Sequence, residues 1–350
     1  MSKEKDSRAI SERFMEMFEN GGVYHQFVEL VISKPELCFS FRGNNGDNEA
    51  VNIYYNNKTV FKIYLNGTVE ISFNHARYKS DWRKDLEKLA EIGFKIPEQS
   101  EEKIAKSGIG YIRGKIETLK PNAAIITYEN VIKPIMDSYF DEESDVRYDY
   151  FRNEVGQNRY EKEKVRQHEI FLSMKNYKDG YFFYDTEFHQ VYENNLVKGV
   201  DFDSHNNPDM TAIRFENGRP VAFVLVEVKS TKSAMFGKSG VLTHIRMMEK
   251  YEYAKIQNRL VEAYEMMTQY RQLQLYEIPQ YEKEDFTKIN LFENILLFTD
   301  EAKEIWERPY EYLTNKRFIA DIEEAHELTE LVDDRLILRE NVPCSVYKRK

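Results

Sequence analysis

The feature that most constrains the fold is an uninterrupted apolar run, Val221 to Val226, that leads directly into Glu227-Val228-Lys229. A turn sequence, Glu216-Asn217-Gly218, precedes this run, and Thr211 to Phe215 before the turn has strand character. The two segments therefore predict a β-hairpin. Because its second strand has no polar position, we expect that strand to be buried on both faces.

Two carboxylates and one lysine are predicted to meet at the open end of this hairpin. If the turn is a three-residue loop with its glycine in the left-handed region, Asp209 falls opposite Leu225 and shares a face with Glu227 and Lys229. The diagonal separation of the Asp209 and Glu227 α-carbons would be roughly 7 Å, which suits two ligands of one cation. A two-residue Asn217-Gly218 turn would move Asp209 to the opposite face unless a bulge restores the register.

Charged residues at the end of such a strand have two interpretations. Glu227 and Lys229 could mark the point where the strand emerges into solvent, as a weak ion pair. Buried charges, however, are costly unless they are paired or bound to a metal. With Asp209 and the turn upstream, we favour an active site in which Asp209, Glu227 and Lys229 support metal-dependent cleavage of a phosphodiester.

Pro208-Asp209 and Glu227-Val228-Lys229 resemble the two halves of the motif of the PD-(D/E)xK phosphodiesterase superfamily, the restriction-endonuclease-like nucleases. The resemblance implies an α/β (α+β) fold whose core runs helix, three strands, helix, strand. In the first helix, the predicted buried stripe contains Val165, His168 and Leu172. The flanking elements of that order are predicted at Arg159 to Lys175, Tyr181 to Val191, Val241 to Tyr276 and Asn294 to Thr299.

The resemblance also implies roles for the motif residues. Asp209 and Glu227 would bind Mg²⁺, with Mn²⁺ as the alternative, and the backbone carbonyl of Val228 would join them. Lys229 would orient or help deprotonate the attacking water, or neutralise charge that builds on the phosphate. No covalent intermediate is expected. Three further acidic residues are candidates for the site, although each also fits a solvated surface position: Glu161, Glu169 and Glu187.

A locally basic segment follows the motif and contains Lys232, Lys238, Ser239, His244 and Arg246. Free amides at the start of a helix attract phosphate, so we expect this segment to hold the nucleic-acid backbone beside the scissile bond. An ordinary helix cap with solvated lysines is the alternative. The full Gly-x4-Gly-Lys-Ser/Thr pattern is missing, which argues against a nucleoside triphosphatase.

The chain is long enough for two domains and an extension. We expect an N-terminal α+β domain at 1–140 that recognises a substrate or partner, a nuclease core at 146–310 and a helical extension at 311–350. The acidic stretch at 141–145 is the expected linker.

Within the N-terminal domain, short strands separated by Asn- and Gly-rich turns predict an antiparallel meander. Its aromatics could stack on bases, although at strand spacing they are more typical of a core. The predicted strands are Leu37 to Ser40, Val51 to Tyr55, Thr59 to Tyr64 and Thr68 to Phe73, and the predicted helices are Ser80 to Ile92 and Asn130 to Ser138.

Composition limits the partners. The formal net charge of −10 argues against a protein that coats DNA, but it still permits a local basic groove. Cys38 and Cys344 match no zinc spacing and no disulfide framework. No apolar leader is visible, and no run approaches the ~18 apolar residues of a membrane span.

We therefore expect a cytoplasmic, metal-dependent nuclease that does not enter a membrane and that has nucleic acid as its substrate, DNA in preference to RNA. A protein partner or a second copy of the chain is a further expected partner. Restriction, defence against mobile elements or repair would be the settings by analogy with the superfamily. The alternatives are an RNA-directed nuclease and a catalytically silent binding module that keeps the fold.

Overall fold

The computed structural model describes residues 8–43, 49–72, 82–97, 110–140, 159–173, 178–186, 190–191, 205–206, 208–230, 240–241, 244, 256–298, 302, 336–337 and 345–348. These residues form a mixed α+β fold. The chain divides into two compact units, Met1–Glu161 with Glu265–Ile278, and Lys162–Tyr264 with Pro279–Lys350. The sequence placed 265–278 in the second domain, whereas these residues belong to the first unit. The expected linker at 141–145 lies outside the described residues.

The first unit contains a five-stranded antiparallel sheet in the order β1-β2-β3-β4-β5, which confirms the predicted meander and adds a fifth strand. The strands are β1 Leu37–Arg42, β2 Ala50–Tyr55, β3 Lys58–Tyr64, β4 Thr68–Ser72 and β5 Tyr111–Lys115. The helices are α1 Glu12–Glu16, α2 His25–Ser33, α3 Trp82–Ile92, α4 Ala123–Thr127 and α5 Lys133–Phe140.

A π-helical turn, Tyr128–Ile132, joins α4 to α5. The predicted helix start at Asn130 is therefore wrong, because Asn130 lies inside this turn. The helical segment begins at Ala123, directly after Asn122, whose positive φ of 60° ends the preceding loop.

Three phenylalanines of the sheet lie in the core of the first unit rather than on an exposed stacking surface. Phe39, Phe41 and Phe61 are fully buried. Phe27 packs edge-on against Phe61 with ring centroids 5.4 Å apart, a favourable aromatic geometry. These rings are therefore not available to stack on bases.

The second unit is built on a six-stranded mixed sheet in the order β12-β13-β11-β10-β9-β6. Only the β10–β11 pair is parallel, and the other described pairs are antiparallel. The strands of this unit are β6 Gly180–Thr186, β7 Gln190–Val191, β8 His205–Asn206, β9 Met210–Glu216, β10 Arg219–Lys229, β11 Leu291–Phe298, β12 Leu336–Ile337 and β13 Ser345–Lys348. The helices are α6 Arg159–Ser173, α7 Ile256–Gln272 and α8 Lys283–Thr287, of which α7 contributes residues up to Tyr264 to this unit.

Several predicted boundaries differ from the structure. The strand predicted to run to Val191 ends at Thr186, and Gln190–Val191 pairs instead with His205–Asn206 in a separate ribbon. The described part of 311–350 consists of β12 and β13, and the rest of the predicted helical extension lies outside the described residues. In the part of the chain that the structure describes, no helix combines the length and the apolarity needed to cross a bilayer.

The hairpin of β9 and β10 closes with a two-residue turn, not with the predicted three-residue loop. Glu216 pairs with Arg219, and the two turn residues between them, Asn217 and Gly218, have positive φ values of 50° and 72°. Asn-Gly is a sequence that adopts this turn readily, because both residues tolerate the left-handed region. By itself, this turn would place Asp209 on the wrong face of the sheet.

A bulge in β10 corrects the register. Phe215 pairs with Pro220 and the next pair is Arg214 with Ala222, so Val221 is an extra residue in β10. The predicted pairing of Asp209 with Leu225 is wrong, because Leu225 pairs with Thr211. The last observed pair is Val226 with Met210, and continuing this register by one residue brings position 209 directly opposite Glu227, on the face that carries Glu227 and Lys229.

A buried ion pair lies on the other face of the same three strands. The guanidinium of Arg214 on β9 reaches Glu293 on β11, with Nε 3.0 and 3.1 Å from the two carboxylate oxygens. Both residues are at most 8 % exposed. The small side chain of Ala222, which pairs with Arg214, leaves space for the arginine to cross β10. This contact ties together the strands that carry the candidate site.

We expect Arg214→Met to lower the free energy of unfolding by about 3–5 kcal/mol, because the carboxylate of Glu293 would then be buried without its counterion. Replacing both residues with Met should recover most of this loss, and Glu216→Gln, which removes the exposed partner of Arg214, should cost less than about 1 kcal/mol. Urea unfolding of the four proteins tests the prediction. A single Arg214→Met variant as stable as the wild type would contradict it.

Candidate functional site

The charged end of β10 is buried, so the interpretation that it marks the emergence of the strand into solvent is wrong. Glu227 is 2 % exposed and Lys229 is 4 % exposed. The parallel pairing with β11 continues through Glu227, Val228 and Lys229, which keeps this end of the strand inside the sheet. The charges must therefore be balanced within the protein.

Two donors bind the same oxygen of Glu227. Its Oε1 accepts a hydrogen bond from Lys229 Nζ at 2.6 Å and another from His244 Nδ1 at 2.8 Å. Its Oε2 is also buried, but no described residue donates a hydrogen bond to it. One oxygen of this carboxylate is therefore held by the protein, and the other is a buried acceptor.

The electrostatics keep Glu227 and Lys229 ionised. Burial raises the pKa of Glu227, but the positive charge of Lys229 and the hydrogen bond and charge of His244 outweigh it and lower the pKa to about 2. Burial likewise lowers the pKa of Lys229, but the carboxylates of Glu227, Asp209 and Glu163 outweigh it, so the pKa is raised. In the protein without a bound cation, the two side chains form a buried ion pair at neutral pH.

Asp209 lies immediately before β9 and faces the same end of β10. Its Oδ2 accepts a hydrogen bond from the backbone N–H of Val228 at 2.8 Å. Burial raises the pKa of Asp209 well above its ordinary value, the charge of Glu227 raises it further, and Lys229 opposes both. The structure thus brings together Asp209, Glu227 and Lys229, the three residues that the sequence predicted as a site.

The backbone of Val228 also faces this site. In a strand, the N–H and C=O of one residue point to the same side, and the N–H of Val228 points to Asp209. The carbonyl of Val228 therefore lies on the side of β10 where Asp209 is found, as expected for a third oxygen ligand.

Helix α6 supplies a carboxylate, but a different one from those predicted. Glu163 interacts electrostatically with Lys229, Glu227 and His244, and burial raises the pKa of Glu163. Glu169 instead is exposed and pairs with Arg166 at 2.5 Å. The side chains of Glu161 and Glu187 lie outside the described residues.

The buried face of α6 changes character along the helix. The predicted stripe is only partly right, since Val165 and Leu172 are half-buried while His168 is buried. A buried polar stretch precedes buried apolar residues, and this polar stretch begins beside Glu163. The buried positions are Lys164, Gln167, His168, Ile170 and Phe171. Glu163 lies one helical turn before the buried Gln167, so the two residues share a face of the helix. This spacing is the sequence signal that could have identified Glu163.

Of the basic segment, the structure describes only His244, and it places this side chain against Glu227. Lys232, Lys238, Ser239 and Arg246 lie outside the described residues. The backbone N–H of His244 donates to the Gly240 carbonyl. The contact with Glu227 had no sequence signal, because fifteen residues separate His244 from the motif.

Strand β6 carries another buried carboxylate that was not predicted from the sequence. Asp185 is fully buried and accepts a hydrogen bond from the N–H of Thr186. It pairs with Thr211, which pairs with Leu225, so Asp185 lies on the same face of the sheet as Glu227. A bulge between Phe183 and Asp185 determines which face of the sheet Asp185 lies on. Sequence periodicity alone does not predict a bulge.

The groups at the end of β10 fit a hard divalent cation. The Val228 N–H binds Asp209 through Oδ2, and no donor from a described residue reaches the buried Oε2 of Glu227. Among the described residues, no three His, Cys, Asp or Glu side chains are arranged as a complete metal cage. Mg²⁺ does not require one, since it commonly keeps several waters and binds through one or two carboxylates.

No protein-family model matches this chain, and neither the curated proteins nor the solved structures gave a significant match.

The opposite pKa shifts of the two carboxylates predict opposite effects of neutral substitutions on stability. The lowered pKa of Glu227 means that its charge stabilises the fold above its ordinary value of 4.5, and this stabilisation is lost as the pH falls towards 2. The raised pKa of Asp209 means that its ionisation destabilises the fold as the pH rises above the ordinary value of 3.8.

In EDTA at pH 8, we therefore expect Asp209→Asn to increase the free energy of unfolding and Glu227→Gln to decrease it by about 3 kcal/mol, since Lys229 loses a buried counterion. Urea unfolding measures both, with the exposed Glu12→Gln as a matched control that should not change stability. Equal losses for Asp209→Asn and Glu227→Gln would contradict the assignment.

Proposed function

We propose that the second unit is a Mg²⁺-dependent nuclease of the PD-(D/E)xK type, with Mn²⁺ as an alternative cation. The observation that carries the proposal is the convergence of Asp209, Glu227 and Lys229 at one buried strand end. Among the described residues, no donor reaches the buried Oε2 of Glu227, and the Val228 N–H binds Asp209 through Oδ2. Oxygen ligands beside a buried ammonium suit the cleavage of an anionic ester.

The order of elements supports a restriction-endonuclease-like core. In the described part of the chain, α6 is followed by the sheet strands β6, β9 and β10, then by α7, the short α8 and β11, and β11 joins the sheet parallel to β10. This is the helix, three-strand, helix, strand order that the resemblance implies. The short β7–β8 ribbon lies between the first two core strands along the chain.

In this proposal each side chain has a separate role. The cation would be held by Asp209, Glu227 and the Val228 carbonyl. When bound, it supplies Lewis-acid stabilisation of the negative charge that develops on the phosphate. Water attacks phosphorus, the bond to one bridging oxygen breaks, and that oxygen leaves with a proton from solvent. Lys229, held at the site by Glu227, orients the water or neutralises charge on the phosphate oxygens.

DNA is the preferred substrate in this proposal, because the motif resembles that of restriction-endonuclease-like nucleases. The protein would work in the cytoplasm, and a protein partner or a second copy of the chain would assist it. The negative net charge of −10 makes broad coating of DNA unfavourable, so affinity should depend strongly on salt and on local contacts.

The first test is cleavage of supercoiled, linear and single-stranded DNA, and of RNA of matched sequence, with Mg²⁺, Mn²⁺ or EDTA. We expect cleavage that requires the cation and that falls at least about 100-fold in Asp209→Asn, Glu227→Gln and Lys229→Met, because each change removes a charged group at the reacting phosphate.

The result distinguishes the alternatives. If only RNA is cleaved, the substrate is RNA instead of DNA and the proposed reaction is unchanged. Binding of DNA or RNA with no cleavage under any condition would favour the silent binding module. Cleavage that survives in all three variants would place the active site elsewhere in the chain.

A comparison within α6 tests the added carboxylate. We expect Glu163→Gln to lower the cleavage rate about 10-fold or more, because Glu163 acts electrostatically on the cluster. Glu169→Gln, on the exposed side of the same helix, should leave the rate unchanged. Single-turnover kinetics at saturating cation measures both. Equal effects of the two substitutions would show that position 163 has no special role.

A further inference from the structure

The hydrogen bonds of the two acidic residues follow one pattern. Asp209 accepts a hydrogen bond from the N–H of Val228 through Oδ2, and Glu227 accepts hydrogen bonds from Lys229 and His244 through Oε1. In each case the protein uses one oxygen of the carboxylate. Glu227 Oε2 is buried, and the described part of the chain offers it no donor.

The two donors to Glu227 differ in how firmly they can fix it. Lys229 lies two residues away on the same strand, and its ammonium is carried on a flexible stem with three equivalent donors. An ammonium has no single donor direction that would select one carboxylate oxygen over the other. The lysine therefore balances the charge of Glu227 without fixing the orientation of its carboxylate.

His244 supplies the fixed direction. Its ring is planar, it comes from a separate segment, and its backbone N–H is bonded to the Gly240 carbonyl. The side chain is 19 % exposed, so most of its surface is enclosed by the protein. A single N–H at 2.8 Å from Oε1 selects one of the two orientations of the carboxylate.

We infer that His244 is a positioning residue of the cation site, and that it presents Glu227 to one divalent cation through Oε2 alone. The inference rests on the proposed function. It assigns His244 a role different from the nucleic-acid contact expected for it. With one oxygen from each carboxylate, the site holds a single ion in the monodentate manner that suits the octahedral geometry of Mg²⁺.

The test is direct binding of Mn²⁺ to the full chain, freed of metal with EDTA and followed by the electron paramagnetic resonance signal of free Mn²⁺. We expect one ion per chain for the wild type. His244→Leu, which keeps the bulk and loses the donor, should weaken the affinity about 10- to 100-fold. His244→Asn keeps a donor near the position of Nδ1 and should restore most of the affinity.

The matched control is His25→Leu, since His25 is also half-buried and bonds a backbone carbonyl through Nδ1. It should bind Mn²⁺ as the wild type does. His244→Gln, whose amide reaches the position of Nε2, repeats the test if His244→Leu fails to fold. In cleavage assays, added Mn²⁺ should restore the rate of His244→Leu.

The outcomes separate the two proposals. Wild-type affinity in His244→Leu and His244→Gln would overturn the role of His244 and leave the nuclease proposal in place. Failure of His244→Asn to recover affinity would overturn the hydrogen-bond mechanism. Two ions per chain would overturn the single-cation site. A wild-type protein that binds no Mn²⁺ would overturn the inference and the proposed metal dependence together.

Discussion

Burying the carboxylate of Glu227 at the end of a central strand is unfavourable unless positive groups surround it, and the rest of the site is arranged around this requirement. Lys229 on the same strand and His244 in a later segment both contact the carboxylate of Glu227. Because these two donors are present, β10 can remain inside the sheet from Ala222 to Lys229. Glu227 raises the pKa values of Asp209 and Glu163, and Lys229 lowers them.

The geometry of the site depends equally on one extra residue at the far end of the hairpin. Side chains alternate along a strand, so an error of one residue at the turn would put every later side chain on the other face. The Asn217-Gly218 turn alone would place Asp209 opposite Val226, and the extra residue Val221 moves the pairing by one, so that Asp209 lies opposite Glu227. On the opposite face, the ion pair of Arg214 and Glu293 holds the same three strands in this register.

The elements that were predictable from sequence are those with strong local signals. The apolar run of β10 and the Asn- and Gly-rich turns of the meander have such signals. The convergence of Asp209, Glu227 and Lys229 was predicted through a three-residue loop, whereas in the structure it arises from a two-residue turn and a bulge. The bulge at Val221 was missed in detail because it is set by cross-strand packing, not by composition. The contact of His244 with Glu227 is tertiary, and the return of 265–278 to the first unit depends on contacts distant in sequence.

Stability alone does not account for an aspartate at position 209. Burial and the neighbouring charge of Glu227 both disfavour its ionised form, whereas an amide would keep the hydrogen bond from Val228 without that penalty. Among the described residues, Lys229, Lys164 and His244 face three carboxylates, those of Glu163, Asp209 and Glu227. A fold that optimised only its own free energy would remove one of them. The unfavourable ionisation of Asp209 is the physical argument for interpreting this strand end as a cation site, because departures from local optimality are expected where a protein binds or reacts.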